Sequence, residues 1–325
     1  MTVLVNLIVT LGMLYVVPAG LRLIDPAGLR TAARLWPVPA ALGALCLWLP
    51  RGIPATVLAA LYAAAALALA TRAPARLLEA RRRSRAGGNA GGAPPRTTVS
   101  GPAEVAVCTA LVSPSIAAAA LVAERAGYRL FGFDLDILAL TVPHFHFAGF
   151  TAALVAGLVC RAGDQAAPAT AHATAPATAH ATTPAAAPAT TPATAPAAAP
   201  GAAGLSRWAA YSVPGGTLLV LLGYFVDDWA ELAGAVVLTT GMWAVALLTW
   251  RDIRPGARDR TTGALLGTSA AVLVATMLAA LWWAAGEATG ITHPTLTWMA
   301  ATHGLGNALG FALCSVLAWR RLTVD

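Results

Sequence analysis

Apolar residues run along this chain in long stretches separated by short polar turns. Nine stretches stand out: Val3 to Val17, Leu35 to Leu49, Ile53 to Ala70, Ala103 to Ala123, Leu135 to Cys160, Tyr211 to Val226, Leu232 to Trp250, Gly263 to Ala285 and Leu296 to Trp319. No polar face recurs in them at the helical period, so they do not read as the surface helices of a soluble core. A bilayer core needs about 20 apolar residues per helix. The pattern therefore predicts an all-α, polytopic transmembrane bundle of about nine spans. The second stretch fits least well, being short and carrying Pro37 and Pro39. The first lacks a basic leader and a small-residue cleavage site, so it reads as a retained helix and not as a signal peptide.

The polar segments give an orientation. If alternate loops share a side, one set holds 18 arginines and the other only Arg51, Arg125 and Arg129. Basic residues are retained on the cytoplasmic side. Nine spans then put the N-terminus outside and the C-terminus in the cytoplasm. Two interior segments are longer. Residues 71–102 read as a basic cytoplasmic loop, with Arg81, Arg82 and Arg83 followed by Gly87-Gly88 and Pro94-Pro95. Residues 162–204 repeat Ala, Pro and Thr, with His172 and His180 as drift within the repeat. Such a segment has too little apolar variety for a core, and it reads as a disordered linker. It divides the chain into a first part, 1–161, of about five spans and a second, 205–325, of about four.

Composition sharpens this picture. Of 325 residues, 58% are hydrophobic and only 11% charged, against about 25% charged in soluble domains. The mean hydropathy is +0.69. The net charge of +7 comes from 21 basic residues, all arginine. Because these lie between apolar stretches, the partner they imply is the lipid bilayer and not nucleic acid. The arginine-only usage with abundant Ala, Gly and Pro points to a GC-rich bacterium, hence to a bacterial plasma membrane. Cys46, Cys108, Cys160 and Cys314 form no CxxC pair and read as small buried hydrophobes.

Ionisable side chains at membrane depth are costly and mark function or packing. No carboxylate falls near the middle of a stretch. Glu104, Asp134, Asp136, Asp227, Asp228, Glu231 and Glu287 all fall at ends or in short loops, and Asp227, Asp228 and Glu231 read as a solvated acidic turn or, as the alternative, a weak entry site for external cations. The deep ionisable groups are His144, His146 and His303. From Leu135 to His144 is roughly 14 Å of helix, and Pro143 predicts a kink there. Residues two apart point about 200° apart on a regular helix, so His144 and His146 do not face one point. His303 and Asn307 share a face, and Gly306 and Gly310 beside them permit close helix contact. Stretches five and nine are expected to pack together. Three readings stay open for His144, His146, His303 and Asn307. They form a packing network, a polar pathway for a solute, or a metal site, with the three histidines holding zinc or haem iron. No phosphate-binding loop, dinucleotide fingerprint, nucleophile elbow or zinc-protease motif is present.

His144-Phe145-His146-Phe147-Ala148-Gly149-Phe150, with Thr302-His303-Gly304 and Asn307-Ala308-Leu309-Gly310-Phe311, resembles the YndJ-like integral membrane proteins. The resemblance implies a multi-pass membrane protein leaning toward transport, with His144, His146, His303 and Asn307 as its signature positions. The Ala/Pro/Thr linker departs from the pattern. The expected function is transport or permeation. The alternative is a membrane-embedded metalloprotein, a haem-linked oxidoreductase or a zinc hydrolase, on the same histidines.

Overall fold

The computed structural model describes residues 2–88, 101–173 and 201–324, and these are helical with no strand. The principal helices are α1 (Val3–Ile24), α2 (Pro37–Cys46), α3 (Ile53–Glu79), α4 (Pro102–Arg125), α5 (Leu135–Gln165), α6 (Ala202–Val226), α7 (Asp228–Gly256), α8 (Arg260–Thr289) and α9 (Leu296–Thr323). All but α2 are long and apolar enough to cross a membrane. The centre is α5, whose most apolar window is 83% buried, whereas that of α3 is 28% buried and lies at the rim. One core cluster runs through both parts of the chain, from Val5 in α1 to Trp319 in α9.

Two segments expected to be loops are partly helical. The helix after Thr71 runs to Gly88, because Arg, Ala, Leu and Glu favour helix. The helix containing α5 continues to Ala173, into the segment read as linker. The Pro94-Pro95 pair and the repeat around His180 lie outside the described residues.

The second apolar stretch forms only the 10-residue α2, preceded by a short helix, Arg30–Leu35. It lies antiparallel to α1. The Trp36 indole N–H donates to the Met13 carbonyl (3.0 Å), and the Asn6 amide donates to the Leu47 carbonyl (2.9 Å). The first bond has a local cause. A π-helical turn spans Gly12–Val16, and the Val17 N–H bonds Gly12. The next residue, Pro18, has no N–H to offer Met13. Trp36 supplies the missing donor to a buried carbonyl.

Buried charge clusters mark the two ends of α4. At one end Glu104, 3% exposed, accepts from the Arg76 guanidinium (2.6 and 3.3 Å) and faces Arg161 (3.7 Å). Arg76 also bonds Asp25 (3.2 Å). The Gly28 backbone N–H, helped by Arg76, holds the Asp25 carboxyl below the usual carboxylate range. At the other end Glu124, 2% exposed, accepts from Arg51 (2.8 Å) and from Arg125. Arg125 reaches on to the Cys46 and Leu49 carbonyls at the end of α2. These glutamates sit at helix ends, as their sequence positions require, but they are desolvated and bracketed by arginines. Cys46, Cys108 and Cys160 are buried and all four thiols are free.

Candidate functional site

Three π-helical turns meet at the centre of the bundle: Gly12–Val16 in α1, Phe145–Thr151 in α5 and Gly306–Leu313 in α9. A π turn carries one extra residue and leaves backbone groups out of the regular ladder. In α5 it follows Pro143 directly, where the α-helical bonding is already interrupted. This irregular stretch carries His146, and His144 is the residue just before it.

The two rings point to different places. His146 is fully buried. Its Nδ1 lies 2.7 Å from the Val142 carbonyl and its Nε2 lies 2.7 Å from the Tyr62 hydroxyl. A carbonyl only accepts, so Nδ1 carries the proton and Nε2 accepts from tyrosine. Gly12 permits this packing, since a Cβ there would stand 3.1 Å from that of His146. Both ring nitrogens are therefore engaged.

His303 is engaged in the same way. Its Nδ1–H donates to the Thr276 carbonyl (2.8 Å), and its Nε2 accepts from the Asn307 amide (3.0 Å). The Asn307 carbonyl oxygen accepts from the Thr276 hydroxyl (2.7 Å). The result is a closed polar ring between α8 and α9. Gly306 and Gly310 let α9 approach Thr276 and Val272 of α8. Replacing Asn307 by leucine strips partners from the Thr276 hydroxyl and the His303 Nε2. We expect a loss of about 1 kcal/mol, the scale of hydrogen bonds between membrane helices. A double-mutant cycle with Thr276→Val, read by unfolding in detergent, checks it. Additive losses would show that the ring is not coupled.

His144 differs from both. It is half-buried and has no hydrogen-bond partner among the described residues. It faces a cavity of about 630 Å³, shared with His303 and Asn307. The walls come from seven of the long helices and are mostly apolar, with Thr141, Thr217, Tyr224 and Glu231 among the polar exceptions. The cavity extends toward the Glu124 end of the bundle. The structure thus brings His144, His303 and Asn307 onto one cavity and leaves His146 behind the wall.

The three histidines do not form a ligand set. His146 and His303 both spend their nitrogens on protein partners. Among the described residues no group of three or more His, Cys, Asp or Glu side chains is placed to hold a metal ion. His293 in the loop before α9 pairs with Glu287 instead (3.2 Å).

Two site residues were not singled out by the sequence pattern, and a third was read as part of a turn. Tyr62 and Thr276 are hydroxyls in apolar helices that carry others, such as Thr56 in α3 and Thr268 and Ser269 in α8, so nothing in the pattern set them apart. Glu231 reads as a turn residue, yet it is buried and lines the cavity.

Apolar helices of spanning length, packed around a shared cavity, define a multi-pass membrane protein. Within that class the chain belongs to the YndJ-like protein family, whose model matches residues 7–311. Comparison with curated proteins and with solved structures returns no match.

Proposed function

We propose that this protein is a transporter or permeation protein that admits a small, largely apolar solute to the central cavity, where His144 meets it. The observation that carries this reading is an imidazole without a hydrogen-bond partner among the described residues, on the wall of a roughly 630 Å³ apolar space. Such a space with few polar groups is the usual form of a small-molecule site. An unpaired polar group in it gains from a ligand's hydrogen bond. The proposed topology has nine crossings, with the N-terminus outside and the C-terminus cytoplasmic. Its support is the arginine asymmetry, together with contacts that tie α2 to Met13 midway along α1 and to Arg125 at the end of α4. The cavity then approaches the outer face, and the first part (1–161) and second part (205–325) both contribute to its wall. The zinc alternative needs three protein ligands, and no group of three or more His, Cys, Asp or Glu side chains stands together among the described residues.

The test uses the purified full chain and N-phenylnaphthylamine, a neutral apolar fluorophore with one N–H donor. Saturable fluorescence enhancement is expected. Ala284→Trp, which narrows the cavity from its wall, weakens it. His144→Ala weakens binding about tenfold, the scale of one hydrogen bond in a dry site. The same variant leaves the melting temperature nearly unchanged, because the ring has no hydrogen bond among the described residues to lose. Equal binding by wild type and Ala284→Trp would overturn the proposal.

A further inference from the structure

Three carboxylates are buried among the described residues: Glu104, Glu124 and Glu231. The first two are each held by two arginines. Glu231 has no such partner. Its polar and charged neighbours are Asp228 one turn back on α7, Glu287 at the end of α8 and the Tyr224 phenol of α6. Glu287 is already paired with His293. A buried carboxylate facing two other acids and no cation is electrostatically unsatisfied. It lines the cavity, so the missing positive charge has room to come from a ligand.

The rings around it fit the same charge. Phe131, Phe133, Tyr224, Phe225 and Trp283 all line this end of the cavity. Phe133 meets Tyr224 and Phe225 edge-on, with centroids 6.2 and 5.4 Å apart, and Phe131 meets Phe225 at 5.4 Å. Phe131 reaches that contact from a left-handed backbone (φ 56°), the one non-glycine residue with positive φ among those described. Aromatic faces beside a carboxylate are the recognition elements for organic cations, which a ring quadrupole attracts. A bare metal ion fits less well. Calcium takes six to eight oxygens, and no metal-holding group is present among the described residues.

We propose that the cavity selects amphiphilic organic cations, with the cationic head against Glu231 and Tyr224 and the apolar body running inward toward His144. This rests on the reading of the cavity as a binding site and names its ligand class.

Tetraphenylphosphonium and tetraphenylborate have nearly the same shape and opposite charge, so they isolate the sign. Binding of each to the full chain in nanodiscs is measured by equilibrium dialysis, with empty nanodiscs as the partition control. The phosphonium is expected to bind saturably and at least tenfold more tightly than the borate. Glu231→Gln should reduce phosphonium affinity about tenfold without weakening the borate. Glu231→Asp should restore part of the loss. The melting temperature of Glu231→Gln should match or exceed that of wild type, because no ion pair is broken. Equal or tighter borate binding by the wild-type protein would overturn the charge selectivity, and this comparison requires no variant. If N-phenylnaphthylamine binds and the phosphonium does not, the cavity reading stands and the cation inference falls. If neither probe binds, both fall.

Discussion

Replacing Glu104 by alanine is expected to lower the stability of the protein by about 3–5 kcal/mol, the cost of removing one partner from a buried ion cluster. The carboxylate holds Arg76 through two hydrogen bonds and faces Arg161. Arg76 in turn bonds Asp25, and Arg161 bonds the Ile24 carbonyl at the end of α1 (3.2 Å). One side chain therefore joins the ends of α1, α3, α4 and α5. Without it, two guanidinium groups remain partly buried with one half-exposed aspartate between them. Glu104→Gln keeps the volume and should lose nearly as much, because the charge is what the arginines need. Arg76→Ala combined with Glu104→Ala should cost less than the sum of the single losses, since the pair leaves fewer unmatched charges. Melting in detergent reads all four proteins. A loss below about 1 kcal/mol for Glu104→Ala would place the cluster among exposed ion pairs, which contribute little.

Neighbouring glycines in α6 should give opposite results. A Cβ on Gly216 would stand 2.5 Å from the Leu238 backbone nitrogen and 2.6 Å from its Cα. The obstacle is the main chain of α7, which moves only if the two helices separate. Gly216→Ala is expected to destabilise by about 2–3 kcal/mol, the upper range for overpacking. A Cβ on Gly215 meets nothing within 4 Å. Gly215→Ala should be neutral or stabilising by about 0.5–1 kcal/mol, the helix-interior difference between the two residues. Gly234 on α7 repeats the contact from the other side, 2.5 Å from the Val220 nitrogen. Gly234→Ala should therefore fall with Gly216→Ala. Equal melting temperatures for the Gly215 and Gly216 variants would contradict the close approach of α6 and α7.

The helices were legible because continuous apolar length is a direct physical signal. Eight of the nine stretches correspond to helices of spanning length. The stretch with Pro37 and Pro39 gives the shorter α2, with Pro37 and Pro39 both within its first turn, where proline is tolerated. The opposed directions of His144 and His146 follow from helical period, and the expected meeting of stretches five and nine occurs where their π turns touch, whereas nothing in the pattern said that the glycines of α9 would lie against α8. The rest depends on contacts distant in sequence. Nothing near His146 announces Tyr62, 84 positions away. The glycines of α6 and α7 do not reveal which backbone they touch. Glu104, Glu124 and Glu231 look alike as acids at helix ends. Only the fold shows that two are matched by arginines and one is not.

The charge clusters at the two ends of α4 set a length. Glu104 and Glu124 stand near the ends of one 24-residue helix, so roughly 30 Å of rise lies between them. That is about the thickness of a bilayer's hydrocarbon layer. The molecule carries a built-in gauge for its host lipid. Acyl chains much longer than this would draw guanidinium groups into oil, and much shorter ones would bare the apolar rim to water. The match favours an upright, little-tilted seating.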